Sequence, residues 1–196
     1  DDRPTPVRVP NFALSPGMDE GEPACLQASN GNYLVAIEAE HATAILDCPS
    51  HSWIPGTNHA GFSGEGHMTA APDIGALLNS GFATNAPRMD FRIRFARNGD
   101  HHVWLRGRAP TGSDDSAHAG LDGFAVDAAD RIDGFSTDWR WSKHTMDGNS
   151  ATLKIPSAGE HVVSIWMRED GFVIDKILLT PDSGYDPSGL GPAESP

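Results

Sequence analysis

Between Arg88 and Phe95 polar and apolar residues alternate without a break: Arg88, Asp90, Arg92 and Arg94 fall on one side, Met89, Phe91, Ile93 and Phe95 on the other. A period of two marks an extended strand with one face against a core and the other toward water. Short apolar runs ended by Gly, Pro, Asn or Asp predict further strands over residues 33–40, 66–70, 74–78, 102–109, 120–126, 151–155, 161–168 and 172–179. No comparable stretch repeats its apolar positions at helical spacing. Many short strands separated by turn residues predict an all-β fold, an antiparallel β-sandwich of jelly-roll type.

The pattern stops at both ends. Residues 1–30 carry Pro4, Pro6, Pro10, Pro16 and Pro23, and residues 182–196 are rich in Pro, Gly and Ser. Neither supplies the apolar face that a core needs. The expected organisation is an N-terminal extension over 1–30, one sandwich over 31–181 and a C-terminal linker over 182–196. No apolar run approaches the roughly 20 residues needed to span a bilayer. The opening residues Asp1, Asp2, Arg3 and Pro4 lack a signal-peptide pattern, so any export signal is expected to have been removed or never present.

Charge narrows the partners. The chain has 14 Lys and Arg against 27 Asp and Glu, a formal net charge of −13. Nucleic acid and anionic membrane surfaces are held mainly by Lys and Arg at their phosphates, so neither is an expected partner. The same field disfavours a polyanionic glycan, although a local Arg cluster acts within about 10 Å at ordinary salt. Cys25 and Cys48 are the only cysteines. They read as a disulfide stapling the N-terminal loop to the first strand in an oxidising compartment, or as two buried free thiols. The first reading suits a secreted, extracellular or periplasmic protein.

Three segments together carry a resemblance: Val35-Ala36-Ile37-Glu38-Ala39-Glu40, then Gly61-Phe62-Ser63-Gly64-Glu65-Gly66-His67-Met68, then residues 167–180, with Phe172-Val173-Ile174-Asp175 at their centre. In this order they resemble the opening strand, the Gly-aromatic-Ser-Gly turn and the closing hairpin of carbohydrate-binding modules of families 6 and 35. They also resemble the related C-terminal domain of glycoside hydrolase family 115. The resemblance implies a galactose-binding-like jelly roll, a monomer tethered to other domains of a secreted polysaccharide-degrading protein. From the residues alone, Glu38 and Glu40 on one extended strand put two carboxylates about 7 Å apart on one face. Such a pair needs a cation or full solvation. The resemblance implies the cation: a structural calcium held by Glu38, Glu40 and Asp175, with oxygen from the Ser63 turn.

Sugars are held by aromatic rings against their C–H faces and by planar hydrogen-bonding groups at their hydroxyls. Two loops are rich in such residues, one running from Arg106 through Arg108, Asp114 and Asp115 to Ser116, the other from Asp138 to Lys143. The resembling modules bind ligand on loops at one end of the sandwich. That implies a site of Arg108, Asp114, Asp115, Trp139, Trp141 and the Glu169-Asp170 turn. Trp53, in a segment without strand periodicity, is expected to be exposed for stacking. Trp139 and Trp141 alternate along a strand, which equally suits a core, and Trp104 and Trp166 fall out of phase with their apolar neighbours and mark the sheet face as a second location. The expected partner is a plant or algal cell-wall polysaccharide. Family 6 modules commonly place an Asn where this chain has Val173, so the usual cleft is not copied.

An enzyme is the competing class. Gly61-Phe62-Ser63-Gly64-Glu65 places Glu where a serine-hydrolase elbow requires Gly, and none of the nine histidines falls in a His-Glu-x-x-His motif. Asp127, Asp130 and Asp133 are spaced by three, which does not match an EF-hand. Asp114, Glu169 and Asp170 remain acidic enough to serve a small lyase or esterase if they converge. A spacer or protein-docking sandwich is the third class.

Overall fold

The alternation at Arg88–Phe95 builds the middle of one of two facing sheets. The computed structural model describes residues 24–196, so residues 1–23 of the expected N-terminal extension lie outside the described residues. In chain order the strands are β1 (Cys25–Leu26), β2 (Val35–Glu38), β3 (Ala44–Leu46), β4 (Ser52–Gly56), β5 (His67–Ala71), β6 (Arg88–Phe95), β7 (Gly99–Arg108), β8 (Ala117–Leu121), β9 (Phe124–Ala125), β10 (Arg140–Ser142), β11 (Thr152–Ile155), β12 (Gly159–Met167) and β13 (Val173–Thr180). One sheet runs β1-β6-β12-β8-β9, with β3 also on β6; the other runs β10-β7-β13-β5-β4, with β11 also on β7 and β2 on β13. Every pairing is antiparallel except β1 with β6.

Met89, Phe91, Ile93 and Phe95 are all buried, and they meet Val163, Ile165 and Met167 of β12 and Val103, Leu105, Ile174, Ile177 and Leu179 of the second sheet in one core. Each such side chain contributes about 1.5–3 kcal/mol by leaving water. Along β13 the alternation breaks once, at a register shift between Ile174 and Lys176. A bulge there turns two consecutive residues, Asp175 and Lys176, to the outer face while Ile174 and Ile177 stay in the core.

Three expectations are corrected. Residues 74–78 form no strand, only an isolated bridge from Leu77 to Glu169, and Ile74 is 70% exposed. The 182–196 segment is no linker: Ser195 N–H donates to Ala36 O, Leu26 N–H to Pro196 O, and Glu38 N–H to a Glu194 carboxylate oxygen. The tail thereby covers the free edge of β2, which would otherwise expose unpaired backbone groups. Cys25 and Cys48 are free thiols. β1 and β3 lie along β6, Cys25 opposite Ile93 and Leu46 opposite Arg88, which puts the cysteines on the order of 20 Å apart at the rise of a strand, far beyond a disulfide's reach.

Candidate functional site

The residues expected to form one cleft separate into two groups at the same end of the sandwich. In the first, Asp114, Asp115, Glu169 and Asp170 do converge, because the 109–116 loop folds against the turn between β12 and β13. Most of their capacity goes into holding that turn together. Asp170 is fully buried and accepts from the Ile74 and Ala76 amides at 2.6 and 2.9 Å, with His51 Nε2 at 3.2 Å. Asp114 accepts from the Thr111 hydroxyl and packs so closely on Gly171, which has a left-handed φ of +78°, that a Cβ there would meet the Asp114 carboxyl carbon at 2.9 Å. With Asp73 these two offer carboxylate oxygens within 4.8 Å of one another. Glu169 accepts from the Ser116 hydroxyl, the Asp115 amide and Arg168 at 2.7, 3.0 and 2.9 Å. Burial, together with the hydrogen bond and negative charge of Glu169, pushes the Asp115 carboxyl up to about 6.

The second group lies on the outer face of the larger sheet. Trp141 is in register with Arg106, and Trp139, two residues earlier on the same side, reaches over both arginines, with Arg106 and Arg108 guanidinium carbons 5.2 and 5.9 Å from its ring centroid. Trp139 Nε1 donates to Ala60 O at 2.9 Å, drawing the 57–62 loop across the sheet. That loop brings His59 and Phe62 to His67 of β5, with ring centroids 5.2 and 6.0 Å away, while Trp139 stands 5.8 Å from His67 on another side. His67 is fully buried, and burial, with His59 and Arg108 nearby, lowers its imidazole to about 4, so the ring is neutral. His67 Nε2 and Arg108 Nε are enclosed and have no hydrogen-bond partner. The half-exposed Trp139 ring, the Arg108 guanidinium and the His59 imidazole therefore share one partly exposed surface, above the enclosed His67 ring.

Arg108 and Trp139 were legible as candidates; His59, Phe62 and His67 were not. The alternation of His67 with Met68 already placed His67 on the outer face, but only the tertiary fold brings it under Trp139. The other tryptophans serve the fold. Trp53 is 2% exposed, on β4, and donates to Pro87 O, so the expectation of an exposed platform is corrected: its strand is an edge interrupted by Pro55, which hid the periodicity. Trp141 donates to Gly189 O and packs on the C-terminal tail. Trp104 is covered by Lys143, and Trp166 is buried beneath Phe82.

The expected calcium ligands also converge, by a different route. β2 ends at Glu38, and a 3-10 turn at Ala39–His41 rather than a strand carries Glu40. Both glutamates still meet the 63–66 turn. Ser63 Oγ lies between Glu38 Oε2 and Asp175 Oδ2 at 2.8 and 2.9 Å, and Ser63 N–H donates to Asp175 Oδ1 at 2.7 Å. Glu40 Oε1 accepts from the Glu65 and Gly66 amides at 2.8 and 2.9 Å. Two cations complete the group: Lys176 Nζ is 2.8 Å from Glu38 Oε1, and Arg106 is 2.6 Å from Asp175 Oδ2.

Comparison with known proteins agrees with this architecture. Among solved structures, a family 35 carbohydrate-binding module from Paenibacillus barcinonensis superposes with a TM-score of 0.53 at 16% identity, covering 76% of this chain and 99% of that one. A family 35 module from Clostridium thermocellum gives 0.52 at 18%, covering 74% and 96%. Both share the β-sandwich fold. The uncharacterized protein P23 of Formosa agariphila is 33% identical over 114 residues, 53% of this chain but only 27% of that protein, so the chain spans about a quarter of this relative. The sequence profile of the glycosyl hydrolase family 115 C-terminal domain matches residues 29–194, and the chain belongs to that family.

Proposed function

We propose that this domain binds a neutral or weakly acidic polysaccharide without cleaving it, as a module of a longer glycan-active protein working outside the cytoplasm. The observation that carries the reading is the outer-face group: the half-exposed Trp139 ring beside the partly exposed Arg108 guanidinium. An indole face suits the C–H face of a pyranose, and a planar guanidinium suits two neighbouring hydroxyls. The carbohydrate-binding modules that share the fold support the same reading. Plant or algal walls are the proposed source of the ligand, and polymers of that size are met outside the cell.

A hydrolase reading has weaker support. Glu169 is taken up by the Asp115 amide, the Ser116 hydroxyl and Arg168, whereas paired carboxylates in glycoside hydrolysis stand roughly 5–9.5 Å apart and free to meet the sugar or a water. Asp114 and Asp170 are committed to the fold.

Affinity electrophoresis against a panel of soluble glycans, followed by calorimetry, tests the proposal. A dissociation constant of about 10 µM to 1 mM is expected. Arg108→Ala and Trp139→Ala are each expected to weaken binding roughly tenfold or more, in keeping with the loss of a charge-assisted hydrogen bond or a stacked ring. Arg108→Ala should leave the thermal melt within a few degrees of the parent. Retained affinity in both variants places the ligand elsewhere; no retardation on any glycan favours a spacer, and release of reducing ends favours an enzyme.

A further inference from the structure

We propose that Lys176 and Arg106 replace the calcium ion expected between Glu38, Glu40 and Asp175, and that the C-terminal tail locks them in place. The chain thus keeps the carboxylates of a cation site while supplying the cations itself.

The donor set carries this. Calcium needs six to eight oxygens at about 2.3–2.6 Å. Of the six carboxylate oxygens offered by the three acids, five are engaged. Glu38 Oε1 is held by Lys176, Glu38 Oε2 by the one Ser63 hydroxyl proton, Asp175 Oδ1 by the Ser63 amide, Asp175 Oδ2 by Arg106, and Glu40 Oε1 by two amides. Only Glu40 Oε2 is uncommitted. Charge argues the same way. Three carboxylates against two buried cations leave a single negative charge, and a divalent ion added to them would leave the site positive in a region where uncompensated charge is costly.

The cations are fixed rather than incidental. Lys176 also donates to Leu190 O and Pro192 O at 3.2 and 3.1 Å, which uses all three of its N–H bonds. Arg106 donates through Nε to Gly189 O at 2.9 Å and through its second terminal nitrogen to Gly61 O at 3.0 Å. The bulge on β13 makes the arrangement possible, because it turns Lys176 to the same face as Asp175. Both side chains are nearly inaccessible, 3% exposed for Lys176 and 6% for Arg106.

Thermal melts in chelator and in 5 mM calcium chloride, with metal analysis of protein purified without chelator, test the proposal directly on the unaltered chain. The expected result is the same melting temperature in both conditions and far less than one calcium per chain. Lys176→Met, which keeps the length of the side chain and removes its charge, is expected to melt lower in chelator and to regain part of the loss on adding calcium. A chelator-induced fall of several degrees in the parent protein, or close to one bound calcium per chain, overturns the proposal. So does a Lys176→Met protein that folds and melts indifferently to calcium, since the lysine would then not stand in for an ion. Should Lys176→Met fail to fold, the parent measurements alone decide.

Discussion

At the scale of single residues, the Asp115–Glu169 pair has a pH signature with a definite sign. Burial and Glu169 raise the Asp115 carboxyl from 3.8 to about 6. Between about pH 4 and pH 6 the folded chain holds this proton while the unfolded chain has lost it, so rising pH favours unfolding over that window. The contribution is present in full below about pH 4 and gone above about pH 6. Glu169 runs the other way: burial alone would raise it, but the Ser116 hydroxyl, the Asp115 donors and Arg168 hold it below 4.5. Its effect is lost as pH falls through that lower range, outside the window of Asp115. Asp115→Asn keeps a donor toward Glu169 at every pH. Melting temperatures measured from pH 4 to pH 8 should therefore show the parent falling relative to Asp115→Asn up to about pH 6 and running parallel beyond it; parallel curves throughout would mean that Asp115 titrates at its ordinary value.

At the scale of elements, the C-terminal tail is where composition misled and where structure assigns a role. Gly189, Leu190 and Pro192 present carbonyls to Arg106 and Lys176, and a proline serves as well as any residue when only an acceptor is required. A chain ended after Ser188 loses these acceptors and the cover over β2. The expected cost is at least about 2 kcal/mol, roughly 4–8 °C in melting temperature at this chain length; an unchanged melt would mean that the tail only rests on the sheet. Strands with a clear period, such as β6, β12 and β13, were readable because one face is core and the other is not. β3 and β4 were missed because they are short edge strands, one broken by Pro55 and Gly56, whose order comes from their neighbours, whereas the alternation of Trp139 and Trp141 did mark β10 as extended. Of the expected site residues, the sequence supplied chemistry but not partners. Arg108 and Trp139 meet through strand register between β7 and β10, Trp53 turned inward, and Glu40 reached Glu38 through a 3-10 turn in place of the strand face that its spacing suggested.

At the scale of the whole molecule, the formal charge of −13 sets the chain's long-range field, whereas the candidate face places Arg108 beside Trp139. The field reaches a distant polymer only over about a Debye length, roughly 10 Å at 0.1 M salt. Two terms therefore act on a charged glycan, repulsion from the acidic chain and attraction by Arg108, and salt weakens both. A neutral glycan meets neither, because its contacts are hydroxyl hydrogen bonds and ring stacking at van der Waals distance. If the ligand is neutral, its dissociation constant should stay within about twofold between 20 and 500 mM sodium chloride. Calorimetric titrations of one oligosaccharide across that range make the test, with the parent and Arg108→Ala side by side. A steep loss of affinity with salt that disappears in Arg108→Ala would identify a ligand carrying negative charge at the arginine, and the neutral assignment would fall while the binding face itself stood.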